Sequence, residues 1–297
     1  MNSARENAIP AAERAWAYVA LAKPDVTFLV VITTIAGFYI ASHGPLDWAL
    51  LAHTLLGTTL AAAGTATLNQ YTEREADAQM RRTAARPIPA GVIQPVEAFW
   101  VGAILVVAGV LYLGILSNVL AASLTLTTTA LYLGVYTPLK KITPLATFIG
   151  AFPGAIPPLI GWAAARGSLS LGAWILFGIL FFWQFPHFLA IAWMYREDYA
   201  RAGIKMLPVV EPSGDRTYRQ ILVSAAILVP ISLLPSVIGI TGIGYFFGAT
   251  VLGMALLQVC LWAERGRTNI RAKWLMHATV IHIPILLGLM ILDRAFR

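Results

Sequence analysis

The sequence predicts an all-α membrane protein, with about nine transmembrane helices bundled around a central cavity and polar loops on the cytoplasmic side. Three observations carry that expectation. Apolar residues make up 58% of the 297 and charged residues only 12%, far from the balance of a soluble domain. Apolar stretches near 20 residues, the length that crosses a bilayer, recur along the chain. Lys and Arg gather in alternate connections, 18 on one side of the predicted bundle against three on the other, Arg166, Arg294 and Arg297. By the positive-inside rule the amino terminus is cytoplasmic, the carboxyl terminus extracytoplasmic and the number of spans odd.

Taken in order, residues 1–24 hold Glu6 and Glu13 among basic residues and have no apolar core. They read as a cytoplasmic segment, neither a secretory signal nor an acid-poor transit peptide. Trp16, Tyr18, Val19 and Leu21 predict a short interfacial helix leading into the first span. Residues 25–297 read as one polytopic domain, with spans near 25–43, 48–68, 96–115, 118–136, 146–164, 171–193, 220–240, 242–262 and 274–293. Pro153, Pro157 and Pro158 interrupt the fifth span, a break that a bundle tolerates where it lines a cavity. The longest connections, 2–3 and 6–7, both follow even-numbered spans, four helices apart, which hints at two facing four-helix halves.

The net charge of +7 needs no nucleic acid, because anchoring against anionic lipid accounts for it. Cys260 is the only cysteine, which excludes disulfides, iron–sulfur clusters and covalent haem attachment through paired cysteines. A bacterial cytoplasmic (inner) membrane is the simplest location.

The stretch Asn69–Pro87 packs three carboxylates and four arginines into 19 residues after the second span. Asn69, Glu73 and Asp77 follow at four-residue steps, each advancing about 40° around a helix and about 6 Å along it, so their oxygens form one stripe. Such a row suits Mg2+, usually held by one or two carboxylates plus substrate phosphates. Arg82 and Arg86 present planar forks for phosphate oxygens. The alternative is a solvated, salt-bridged loop. A second cluster after span 6 favours the metal–diphosphate reading: Glu197 and Asp198 offer oxygens for a cation, and Arg201 and Lys205 complete a phosphate clamp. Tyr136 and Lys140 end span 4 on the same face and also fit ordinary interfacial anchors. His187, beside Trp183, Gln184 and Pro186, either contacts a macrocycle or bonds a carbonyl freed by Pro186. His43 and His53 fall on the far side, and His277 and His282 read as packed polar residues of span 9.

These residues resemble the intramembrane aromatic prenyltransferases, and within them the branch that farnesylates protohaem IX, the haem O synthases. Asn69, Glu73 and Asp77 look like the first metal motif, and Tyr136 with Lys140 like the Tyr-x-x-x-Lys motif. The haem branch is signalled by Arg82-Thr83 with Arg86-Pro87, Tyr136–Lys141, Gly154–Trp162, Trp183–Phe188 and Tyr195–Pro208. Two departures stand out. Position 202 is alanine where the second motif usually has an acid, leaving Glu197 as the acid nearest Asp198, and Glu73 stands where aspartate is usual. The resemblance implies farnesyl diphosphate and haem B as substrates, with haem O and diphosphate as products. It implies Mg2+ on Asn69, Glu73, Asp77 and Asp198, with Arg82, Arg86, Lys140, Lys141, Arg201 and Lys205 around the diphosphate, Tyr136 in the catalytic set and His187 as the haem-contacting candidate. Membrane lipid is a further contact, and the product would feed a haem A synthase or terminal oxidase pathway. The rival readings are a sister prenyltransferase acting on a quinone precursor or chlorophyllide, a transporter of an anionic solute, and a haem-carrying assembly factor. Ionisable residues concentrated at one face argue against the transporter, and the acidic stripe against the carrier.

Overall fold

A helix satisfies its own peptide groups, so apolar stretches near 20 residues cross lipid as helices. The computed structural model describes residues 10–295, so the expectations resting on Arg5, Glu6 and Arg297 lie outside the described residues. Among the described residues, nine helical crossings are long and apolar enough to span a membrane.

A short helix, α1 (Ala11–Leu21), precedes α2 (Pro24–Ala41), α3 (Trp48–Gln79) and α4 (Pro95–Leu116). The fourth crossing is α5 (Val119–Ala130), which passes through a π-helical turn (Leu131–Tyr136) into α6 (Thr137–Leu139). The fifth is split into α7 (Ala146–Ala155) and α8 (Pro157–Arg166), and α9 (Leu171–Met194) is the sixth. Two short helices, α10 (Arg196–Arg201) and α11 (Leu207–Val210), precede α12 (Asp215–Val237), α13 (Ile243–Gly266) and α14 (Asn269–Ala295).

Close approach organises the first half. Gly64 on α3 faces Gly102 on α4, where a Cβ would meet the Gly102 carbonyl at 2.6 Å. Gly37 on α2 and Gly161 on α8 lie against backbone carbonyls of the opposite helix, Pro158 O and Thr34 O. In the second half α9 carries the core, packing against α7, α12 and α14, and α14 in turn touches α2. Trp162, Ile179, Leu180, Trp183 and Leu189 belong to that core. Leu111, Ile115, Phe247, Val251 and Ile281 are exposed, as bilayer-facing residues must be.

Proline breaks the fifth crossing at Ile156, as its three prolines suggested, and the interruption spans one residue. Neighbouring side chains reach the carbonyls there: Gln184 Nε2 donates to Ala151 O at 3.1 Å and Thr34 Oγ1 to Pro157 O at 3.3 Å.

The crossings differ most from expectation at their polar ends. Helix α3 runs on to Gln79 rather than stopping near 68, and α12 and α14 begin at Asp215 and Asn269 rather than near 220 and 274. Hydropathy falls where polar side chains start, whereas the helix continues wherever those side chains find partners. The extension of α3 therefore carries Asn69, Glu73 and Asp77 on one rigid rod.

Helix α1 lies across this polar end. Its Trp16 is exposed and Leu21 buried, the two-faced character expected of an interfacial helix. Arg14 Nη2 donates to Glu97 Oε1 of α4 at 2.6 Å, and the Tyr18 hydroxyl donates to the same oxygen.

Candidate active site

Asn69 and Asp77 are fully buried, although each carries a strongly polar group. Burial of that kind requires partners, and for these two residues and Glu73 between them the cationic partners come from three separate segments. Lys23 Nζ donates to Asn69 Oδ1 at 2.7 Å. Lys140 Nζ donates to Glu73 Oε1 at 2.6 Å, and Arg86 Nη1 meets both Asp77 oxygens at 2.8 and 2.7 Å. One face of α3 is thus a row of oxygens, each facing a cation from a different element.

Local structure explains how those cations arrive. Lys23 sits between α1 and Pro24 with φ 46°, a left-handed conformation rare for a side-chain-bearing residue. It is held there because Gln70 Nε2 donates to Ala20 O and Leu21 O, at 3.0 and 3.1 Å, satisfying the end of α1. Arg86 returns to α3 because the chain folds back after Met80, with Thr83 Oγ1 donating to Asp77 O at 2.9 Å. Lys140 projects from the end of the fourth crossing, its ammonium 4.3 Å from the ring centre of Tyr136 and 6.0 Å from that of Tyr132, geometry that attracts a cation.

The second cluster closes on the first. Asp198 is buried, accepts the Arg82 backbone N–H at 3.2 Å and pairs with Arg201. The Arg82 guanidinium instead stacks over Tyr195, 4.8 Å from its ring centre, and lies 3.4 Å from the Tyr199 hydroxyl. A cavity of about 430 Å³ opens here, lined by Arg81, Arg82, Met194, Tyr195, Glu197 and Asp198. Lys205 donates its backbone N–H to Lys140 O at 2.7 Å, which ties the segment after α10 to the fourth crossing. Its side chain and that of Lys141 are exposed, outside the hydrogen-bonded cluster.

His187 lies elsewhere, within α9. Its Nδ1 is 2.9 Å from Thr279 Oγ1 and its ring stacks on Trp183 at 5.2 Å. The partner is therefore a hydroxyl of α14, not a carbonyl freed by Pro186. Beyond it, His53 pairs with Tyr112 at 2.8 Å, His277 is exposed, and His282 is buried.

Charge in the cluster is finely set. Burial and the neighbouring Arg86 push Lys23 down to about 7. Burial opposes the charge on Lys140 too, but Tyr136, Glu73 and Tyr132 outweigh it and hold that ammonium well above the usual lysine range. The surroundings thus favour the charged form of Lys140 and disfavour that of Lys23.

Comparison with known proteins fixes the family. The UbiA prenyltransferase family model matches residues 30–281. The chain belongs to the UbiA prenyltransferase family. Two relatives named protoheme IX farnesyltransferase show how far the likeness extends. That of Solibacter usitatus is 44% identical over 286 residues, covering 93% of this chain and 98% of the relative. That of Salinibacter ruber is 48% identical over 278 residues, covering 94% and 98%. A solved UbiA homolog from Archaeoglobus fulgidus, bound to GPP and Mg2+, shares the fold at a TM-score of 0.66 and 16% identity, over 92% of this chain and 99% of that one.

Within this UbiA-family bundle, sequence reasoning missed four contributors. Lys23 entered only as a topology charge, and its place directly before Pro24 at a helix start was the available signal. Tyr132 gives no signal apart from its spacing to Tyr136, and Tyr199 lies within the Tyr195–Pro208 run without a role of its own. Thr137 lies inside the Tyr136–Lys140 motif, yet a threonine in an apolar span is unremarkable until its partner is seen.

Proposed function

We propose that this chain transfers the farnesyl group of farnesyl diphosphate to a vinyl group of haem B, with addition of water, releasing haem O and diphosphate in a Mg2+-dependent reaction. The observation that carries the reading is the near full-length match, at 44% and 48% identity, to relatives named for farnesyl transfer to protohaem. The cluster on α3 gives that chemistry a place.

The donor set fits a Mg2+–diphosphate pair. Asn69, Glu73, Asp77 and Asp198 supply hard oxygens. Among the described residues no three Asp, Glu, His or Cys side chains converge to hold a metal alone, so substrate oxygens and water would complete the shell. Glu73, Asp77 and Asp198 each already face a basic side chain, so cation and diphosphate can enter together without leaving a charge uncompensated. Bound there, Mg2+ would neutralise the diphosphate and stabilise charge on the departing oxygen.

The chain's own groups do the rest. Lys140 and Arg86 hold diphosphate oxygens as the allylic C–O bond breaks and the electron pair leaves with the diphosphate, when fixed cations are worth most. The faces of Tyr132 and Tyr136, already beside the Lys140 ammonium, would be available to stabilise positive charge on the allylic carbon. The haem vinyl group then donates its π pair to that carbon, water captures the resulting cation, and the extra proton passes to solvent. Apolar helices keep water from the allylic cation before the vinyl group attacks. By the same reading the site lies at the cytoplasmic face of a bacterial inner membrane, residues 25–297 form one domain, and His187 contacts the macrocycle.

Turnover of purified protein with haem B, farnesyl diphosphate and Mg2+ tests the proposal. A more apolar haem is expected, and its loss both in EDTA and in Asp77→Ala would support the site. Product formed equally well under either condition would refute the metal–diphosphate assignment.

A further inference from the structure

The amide of Asn69 poses a chemical problem, because a carboxamide offers a cation an oxygen on one side and an N–H2 group on the other. Only one orientation is useful. In the structure Oδ1 accepts from Lys23 Nζ at 2.7 Å, and Nδ2 faces Thr137 Oγ1 at 3.3 Å. As an ammonium Lys23 donates only, and the Thr137 hydroxyl, whose proton goes to Tyr132 O, accepts only, so the atom facing Lys23 is oxygen and the atom facing Thr137 is nitrogen.

The Thr137 hydroxyl is itself oriented. It donates to Tyr132 O at 2.8 Å, five residues back, across the π-helical turn Leu131–Tyr136. Its proton is thereby committed, and a lone pair remains for Asn69 Nδ2. Thr137 is buried at 5% exposure and Asn69 at 0%, so water does not offer a ready substitute.

We propose that Thr137 is a positioning residue that keeps the Asn69 oxygen aimed along the Glu73–Asp77 stripe. The π-helical turn supplies the acceptor that makes the Thr137 hydroxyl a fixed acceptor for the amide. The need arises on substrate binding. Lys23 orients the amide only while it remains on Oδ1, and a cation taking that oxygen displaces it. Thr137 then remains as the neutral acceptor that holds Nδ2, beside the Glu73 carboxylate, which also hydrogen-bonds the Asn69 side chain and is itself drawn toward the cation. This inference rests on Asn69 serving the Mg2+–diphosphate site.

Binding of farnesyl thiolodiphosphate, an unreactive analogue, separates the possibilities. Isothermal titration of the detergent-purified full chain, with Mg2+ and again with EDTA, gives the Mg2+-dependent gain in affinity. In Thr137→Val that gain is expected to fall about tenfold, the worth of roughly one hydrogen bond, while affinity in EDTA changes less than twofold. Thr137→Ser restores the gain. In an Asn69→Asp background Thr137→Val has less than a twofold effect, because a carboxylate presents oxygen either way. Thr137→Ala is measured beside the valine variant, so that misfolding of one leaves the other to decide. An unchanged gain in folded Thr137→Val or Thr137→Ala, or an equal loss in the Asn69→Asp background, overturns the proposal. Absence of any Mg2+-dependent gain in the unaltered protein sinks the metal reading itself, and this inference with it.

Discussion

Lys140 shows how single residues tie stability to chemistry at this site. It neutralises Glu73 inside a shell where both side chains are about 13–14% exposed. Removing one partner of a buried pair strands the other, at a cost of about 3–5 kcal/mol. Lys140→Met is expected to lower the unfolding midpoint and to reduce kcat/KM by roughly 10²–10³-fold, the scale of losing a fixed cation beside a leaving group; thermal melts and steady-state kinetics read the two effects. Lys23 carries a different signature. Its folded value of about 7 lies below the ordinary 10.5, so between those limits the unfolded chain binds more protons than the folded one. Stability contributed by this group therefore rises with pH from about 7 upward. Melting midpoints of metal-free protein at pH 7 and pH 9 are expected to differ in that direction, and Lys23→Met to flatten the difference. The acidic stripe was legible from spacing alone, because period four on a helix is a geometric fact. The cations on it were less so: Arg86 was readable as a phosphate fork, but its pairing with Asp77, like the arrival of Lys23, depends on loop paths that no periodicity encodes.

At the level of elements, short approach and broken helices place the site. Helix α8 lies against α2 through Gly37 and Gly161, and Gly154 of α7 lies against the Gln184 side chain. A methyl group at either α2–α8 contact meets backbone, which has little freedom to move. Gly161→Ala is expected to destabilise the protein by about 1–3 kcal/mol, seen as a lower melting midpoint at unchanged helical circular dichroism. The proline break at 153–158 was legible, since proline removes donors wherever it stands. The π-helical turn was not, because Leu131–Tyr136 has the same apolar character as the helix before it. The continuation of α3 past residue 68 escaped hydropathy for the opposite reason: the polarity of Asn69, Glu73 and Asp77 is met by neighbours rather than by water.

At the scale of the whole molecule, the nine crossings among the described residues leave the charged clusters at one end and an apolar girdle around the rest. From the charge asymmetry we propose that this end faces the cytoplasm. Exposed Lys141 and His43 near opposite ends offer a direct check. A membrane-impermeant maleimide added to intact cells is expected to label His43→Cys and to spare Lys141→Cys until the membrane is opened; the reverse pattern would invert the topology. The fold class and number of crossings were legible because a bilayer permits so few solutions. Farnesyl transfer to haem, by contrast, rests on family likeness joined to the cluster on α3. The deciding measurement is mass spectrometry of haem recovered after incubating the purified protein with haem B, farnesyl diphosphate and Mg2+ in 18O-enriched water. The expected product carries one farnesyl group and one 18O-labelled hydroxyl. Unmodified haem, with prenylation of a quinone precursor supplied in its place in a parallel incubation, would contradict the haem assignment and move the chain to a sister branch of its family.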